Sequence, residues 1–338
     1  MATLAGVWLG MLRAKAPADR RVALKHFVMI ALGVLAALLI GVGLWAYTPD
    51  ESRTELEAKY GASPADYIEV AGIRLHVRDT GSRDAPAVVL LHGFGSNLQT
   101  WDGWVDGLAA SYRVIRYDLP GFALTGPDPT GDYSDLRGLQ VLNALLDRLG
   151  VARAILIGNS IGGRLAWKFA AQNPTRVESL VLVSPDGFAS PGLAYGRKPS
   201  VPTYFRFFLY ALPKAMVRMS LAPAYGDPRK LTDQTVTRYW DLMRAPGVRA
   251  AMIARLKQTI LEPPEPLLRQ IQAPTLLIWG EKDAMIPIAN AADYLRTLPD
   301  SILVPLVDLG HVPQEEAPAL SLVPVVDFVG AASSRRSR

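Results

Sequence analysis

From Phe27 to Tyr47 the chain runs for 21 residues without a charged side chain (FVMIALGVLAALLIGVGLWAY). At the rise of an α-helix this stretch reaches about 31 Å, the thickness of a bilayer's hydrocarbon core. Arg13, Lys15, Arg20, Arg21 and Lys25 precede it against Asp19, whereas Asp50, Glu51, Glu55 and Glu57 follow it against Arg53 and Lys59. That bias predicts residues 1–26 as a cytoplasmic basic tail and 27–47 as a transmembrane anchor, with everything beyond about 48 on the far, periplasmic side. Trp45 and Tyr47 fall where an interfacial aromatic belt sits. A cleaved signal peptide predicts a shorter apolar region and a small-x-small site, but the exit here reads Trp-Ala-Tyr-Thr-Pro. Residues 48–66, polar and carrying Pro49 and Pro64, are expected as a stalk.

Beyond that run, composition mainly excludes. The 338 residues contain no cysteine, which removes a thiol nucleophile, a disulfide framework and any cysteine-ligated metal. Four histidines, at 26, 76, 92 and 311, leave little for a histidine-built metal site, so neither metal nor cofactor is expected. The net charge of +5 raises nucleic acid as a partner, but the basic residues form no long run and no nucleic-acid motif occurs, so none is expected.

From residue 67 onward, short β-branched runs alternate with helical stretches. DYIEV (66–70) and IRLHVRD (73–79) flank a hairpin-like break at Ala71-Gly72, and AVVLL (87–91) reads as a strand buried on both faces. A helix at 98–110, a strand at 113–118, a helix at 134–149, a strand at 154–158, a helix at 161–172 and a strand at 179–183 follow. The rhythm resumes with strands at 275–279 and 301–307, a helix at 288–298 and a last helix near 316–330, which Pro324 should kink. Such repetition implies parallel pairing with helices on both faces, and ligands gather at the carboxyl ends of such strands. The intervening stretch, including a helical run at 234–260, is too long for a structureless loop and reads as an inserted cap.

Gly158-Asn159-Ser160-Ile161-Gly162-Gly163 lies directly after one of these strands and directly before a helix. A serine at such a sharp turn needs neighbours nearly free of side chains, which Gly158 and Gly162 supply, and that context marks a nucleophile. A phosphate-binding glycine turn would instead want Gly-x-Gly-x-x-Gly near the first strand. A serine hydroxyl needs a base and the base an orienting acid. His26 precedes the apolar run, His76 reads as lying in a strand far from the sheet's carboxyl edge, and His92 reads as a turn brace; His311, just after the last strand, is the expected base. Asp283, in Gly-Glu-Lys-Asp after the strand at 275–279, is the expected acid, with Asp186 the alternative and Asp118 a support for nearby loops. Negative charge developing on a substrate oxygen calls for two backbone donors, expected from Ile161 and from Phe94 in His92-Gly93-Phe94-Gly95.

His92-Gly93-Phe94-Gly95, Asp118-Leu119-Pro120-Gly121-Phe122, the serine turn, Trp279-Gly280-Glu281-Lys282-Asp283 and Gly310-His311 together resemble the α/β-hydrolase superfamily over about residues 67–330. The resemblance implies a mostly parallel eight-stranded sheet, a core at 67–183 and 275–330, and a helical cap at 184–274. With the apolar run, the chain is similar to membrane-anchored bacterial lipases and esterases; the serine turn also resembles the carbon–carbon bond hydrolases of aromatic degradation. Those usually carry a Gly-Pro-Gly-type turn where this chain has Gly93-Phe94-Gly95, and Ala123 and Thr125 stand where relatives often carry glycine and serine. Serine rather than aspartate at 160 argues against dehalogenases and epoxide hydrolases.

The expected function is therefore cleavage of a small-molecule or lipid ester through an acyl-enzyme; C–C hydrolysis and a non-catalytic binding protein on the same fold are the alternatives. Tyr204, Phe205, Phe207, Phe208 and Tyr210 in the cap suit an acyl chain or ordinary packing of cap on core. Residues 184–262 hold twelve basic residues against five acidic ones, a balance that suits anionic headgroups or a plain solvated face.

Overall fold

The computed structural model describes residues 17–61, 63–189 and 194–336, so Arg13 and Lys15 of the basic tail lie outside the described residues. The chain divides into two compact units, one running up to Thr48 and taking in Tyr210–Pro213, the other holding the remainder.

In the first unit, helix α1 (Pro17–Ala46) starts well before the uncharged run. Its part from Arg20 to Ala46 is long and apolar enough to cross a membrane, and no part of that stretch is buried. Just past its end, Tyr47 pairs with Ala211 in an isolated antiparallel bridge, and the Thr48 N–H donates to the Tyr210 carbonyl at 2.7 Å.

The second unit is built on eight strands: β1 (Tyr67–Val70), β2 (Ile73–Thr80), β3 (Ala87–Leu91), β4 (Arg113–Tyr117), β5 (Ala154–Asn159), β6 (Val177–Val183), β7 (Thr275–Gly280) and β8 (Ser301–Leu306). They lie in the order β1-β2-β4-β3-β5-β6-β7-β8. β2 pairs antiparallel with both neighbours, and every later pair is parallel. Ala71 and Gly72 both adopt positive φ (51° and 78°), as a two-residue hairpin turn demands.

Alternation along each strand sorts the core into two layers. Val89 and Leu91 of β3 join one cluster, while Val88 and Leu90 join the other. Helices α4 (Asp135–Arg148) and α5 (Ile161–Gln172) cover the first face with Leu142, Leu145 and Leu165. On the second, Trp101, Leu108 and Val325 come from the turn before α3 (Asp102–Ala109), from α3 and from the last helix (Pro318–Arg336). That last helix continues past Pro324, behind a separate turn at Pro313–Glu316.

Two expectations need correction. Residues 48–66 are not a free stalk, because Arg53–Tyr60 form a helix, α2, whose Leu56 is buried in the first core layer. Its polar side chains find partners too: Glu57 meets Arg74 at 2.6 Å, while Lys59 and Tyr60 both reach the Asp241 carboxylate at 2.6 Å. Nor is 234–260 one helix. After α6 (Lys214–Leu221), the cap has α7 (Asp233–Met243) and α8 (Val248–Gln258), separated at Pro246-Gly247. Proline disfavours continuation, and Gly247 takes a φ of 77° that closes the turn.

Candidate active site

Ser160 occupies the turn between β5 and α5 with φ 54° and ψ −120°, a conformation L-residues avoid at a cost of about 1–3 kcal/mol. The turn survives because its neighbours leave room for it. A Cβ on Gly158 would stand 2.4 Å from the Gly162 carbonyl oxygen, and one on Gly162 would stand 2.2 Å from that of Leu91. Ser160 is also clamped through its backbone: its N–H donates to Val183 (3.1 Å), and its carbonyl accepts from Arg164 and Asp186 (3.0 Å each).

His311 and Asp283 come together. The imidazole Nδ1 lies 2.8 Å from Asp283 Oδ2, with both side chains nearly or fully buried. Asp283 Oδ1 accepts the Met285 and Ile286 N–H groups at 2.9 Å each, so both carboxylate oxygens are fixed. The alternative acid, Asp186, is instead paired with Arg164. Asn159 links the serine turn to the histidine loop: its Nδ2 donates to the His311 carbonyl at 2.9 Å and to Val183 at 3.1 Å. The Ser160 hydroxyl closes no hydrogen bond with the imidazole among the described residues, which is common before substrate tightens a site.

Beside Ser160, Gly93 carries its carbonyl back to the Ser96 N–H (3.2 Å), forming a tight turn in which Gly95 takes φ 68°. The backbone N–H groups of Phe94 and Ile161 donate to no partner among the described residues; Ile161 is the first residue of α5, where helical N–H groups are orphaned. His92 braces this turn as expected. Its Nε2 lies 2.9 Å from the Leu119 N–H and must accept, so Nδ1 carries the proton and donates to the Gly93 carbonyl at 2.8 Å. Burial lowers its pKa and keeps the ring neutral, against the opposing pull of Asp118.

His76 is not where the sequence placed it. Because β2 runs antiparallel, its early residues lie at the carboxyl edge of the parallel strands, with Val77 opposite Tyr117. There His76 Nδ1 meets Asp118 Oδ2 at 2.7 Å, both groups fully buried. Asp118 additionally accepts the N–H groups of Leu98 (2.7 Å) and Leu124 (3.1 Å), the loop-supporting role expected of it. Burial alone would raise the Asp118 pKa, but His76 and these donors outweigh it and leave it below the usual carboxylate range.

Several supports were invisible in the sequence because they are tertiary. The His311 N–H donates to the Ala224 carbonyl of the cap at 2.7 Å. Glu316 accepts from the N–H groups of Gly226 (3.0 Å), Asp227 (2.9 Å) and Gly310 (2.8 Å), tying cap to histidine loop. Glu315 meets Arg238 and Tyr239 of α7, and Tyr239 reaches Ser96 at 3.0 Å. The cap also leans over the Phe94 turn through the methyl groups of Met243 and Met252, which flank Gly95. Arg255 of α8 donates to the Pro120 carbonyl at 3.0 Å and sits 5.2 Å from the Phe122 ring, which packs edge-on against Phe94. Burial, with Arg164 nearby, brings the Arg255 pKa down to about 10.

A family model described as the alpha/beta hydrolase fold matches residues 86–318. The chain belongs to the α/β-hydrolase family. It is 34% identical over 271 residues to a 2-hydroxy-6-oxononadienedioate/2-hydroxy-6-oxononatrienedioate hydrolase of Cupriavidus pinatubonensis, covering 76% of this α/β-hydrolase and 91% of that protein. Among solved structures it resembles a membrane phospholipase A described as a bacterial virulence factor, with TM-score 0.68, 25% identity, and coverage of 92% of this chain and 98% of that one. The meta-cleavage product hydrolase of Pseudomonas fluorescens IP01 superposes with TM-score 0.68 over 79% of this chain and 97% of its own, at 22% identity that speaks for the fold alone.

Proposed function

We propose that this α/β-hydrolase is a membrane-anchored serine esterase or lipase, with Ser160 as nucleophile, His311 as base and Asp283 as its orienting acid. The observation that carries this reading is the Asp283–His311 pair, joined through Asn159 to a strained serine turn that lies beside two undonated N–H groups. Asp283 fixes the proton on Nδ1 and leaves Nε2 to take the serine proton. The Ser160 oxygen then attacks the ester carbonyl, and the N–H groups of Phe94 and Ile161 stabilise the oxyanion. The alcohol leaves with the proton from His311, and a water deprotonated by the same ring releases the acid. No cofactor takes part in this scheme.

Ester over C–C cleavage, and an anchored over a soluble protein, are supported by the likeness to the membrane phospholipase A. Its 92% coverage of this chain is more than the residues from Pro49 onward can supply, so it extends into α1. The charge bias around α1 supports a catalytic unit on the periplasmic side. A second reading, C–C hydrolysis of a dienoate, is favoured by the curated relative at 34% identity. One panel separates them: purified protein is assayed with esters of increasing acyl length and with a chromogenic ring-cleavage product. Ester turnover that Ser160→Ala lowers by about three powers of ten or more supports the proposal. Turnover of the dienoate alone, or an unlabelled Ser160 after fluorophosphonate treatment, rejects it.

A further inference from the structure

One cavity lies away from the serine turn. It holds about 330 Å³ between the turn Thr203–Leu209 and helix α8. Val201, Phe205 and Ile253 line it with apolar side chains, together with the exposed Arg206 and Lys257. Ile253 and Lys257 are four residues apart on α8 and so share one face, while Arg255 turns inward to Pro120. Neither Arg206 nor Lys257 makes an ion pair with any described residue. From Arg197 to Met219 the sequence carries five basic residues and no acidic one, and among the described residues only Arg218 of the five pairs with a carboxylate, that of Asp233.

Tyr204 and Phe207, on the turn that lines this cavity, are 65% and 73% exposed, apolar where water would favour polar groups. Aromatic rings interleaved with cations are the composition that settles at a bilayer's headgroup level. In sequence the turn runs straight into Tyr210–Pro213, the segment that pairs with the residues just after α1.

We propose that this cavity is a headgroup site for an anionic phospholipid of the bilayer, and that Tyr204 and Phe207 insert beside it. Arg206 and Lys257 would hold the phosphate, while Val201, Phe205 and Ile253 receive the first carbons of the lipid. The proposal rests on the reading of α1 as a membrane anchor and is independent of which bond Ser160 cleaves.

The absence of native cysteine makes the test direct. The full chain carrying Phe207→Cys, labelled with an environment-sensitive fluorophore, is reconstituted in nanodiscs of phosphatidylcholine with or without phosphatidylglycerol. Co-elution with the disc reports the anchor, and the fluorophore reports the cap, so the two readings fail separately. The expected result is a blue-shifted, at least twofold brighter emission in discs containing phosphatidylglycerol. Arg206→Glu with Lys257→Glu should abolish that difference, with an unchanged near-UV spectrum and melting temperature, whereas Arg197→Glu should leave most of it. Water-like emission in both lipids overturns the proposal. So does an equal loss with Arg197→Glu, which would mean diffuse attraction, and so does a response driven by free fatty acid but not by phosphatidylglycerol.

Discussion

Two buried histidine–aspartate pairs sit at the carboxyl edge of the same sheet, His311–Asp283 at 2.8 Å and His76–Asp118 at 2.7 Å. Their geometry is nearly the same, but their surroundings differ. Asp283 spends its second oxygen on its own turn, and His311 stands where the Asn159 side chain ties its loop to Ser160. Asp118 spends its oxygens on two loops, and His76 Nε2 is buried with no hydrogen-bond partner among the described residues, the ring lying 5.2 Å from that of Tyr67. On the proposed reading, then, a buried His–Asp contact does not by itself mark the base; the tie to the serine turn through Asn159 does.

That contrast is open to attack by mutation. The largest effect is expected from Asp283→Asn, which keeps an oxygen for Met285 and Ile286 but favours the wrong imidazole tautomer. Ester turnover should fall by about four powers of ten with little change in melting temperature. Asp118→Ala should do the reverse. It strands three buried donors and should cost about 3–5 kcal/mol in urea unfolding, while turnover per folded molecule changes less than tenfold. If Asp118→Ala instead abolishes turnover in fully folded protein, the division of labour between the pairs is wrong. Leu56→Ala should cost about 2–4 kcal/mol if α2 is part of the folded unit, and nearly nothing if it is a stalk.

The smallest effect concerns pH. Since the folded pKa of His92 is lowered, the unfolded chain binds its proton first, so stability should decline as pH falls below about 6.5. Asp118, also lowered, contributes stability above about pH 4 that is lost on further acidification. Replacing His92 by Gln should flatten the unfolding curve in the first window and leave the second intact.

How much of this was legible beforehand follows the range of the interactions involved. Ser160 between Gly158 and Gly162 is a local steric statement, and six contiguous residues carry it. The strands at 87–91 and 275–279 are continuous apolar runs that have no other low-energy place than a sheet interior. His76 was misplaced because strand direction is decided by a neighbour, β4, some forty positions away. The Ala224 carbonyl and the Glu316 carboxylate gave no signal at all, since a backbone oxygen has no sequence identity and a glutamate near a helix start looks like routine capping. The break at Pro246-Gly247 was available in the sequence, for that dipeptide is strong punctuation; apolar periodicity on either side concealed it. The helix at 53–60 went unseen for the opposite reason, one leucine being too little periodicity to register.

The contact between the His311 N–H and Ala224 bears on how such an enzyme can be altered. The proposed base is mounted partly on the roof rather than wholly on the floor. Exchanging the entire insert with that of a relative to change the substrate would remove part of the base's foundation. Remodelling is better confined to the stretch before Ala222 and to the two helices after Thr232, leaving residues 222–230 as a fixed keystone.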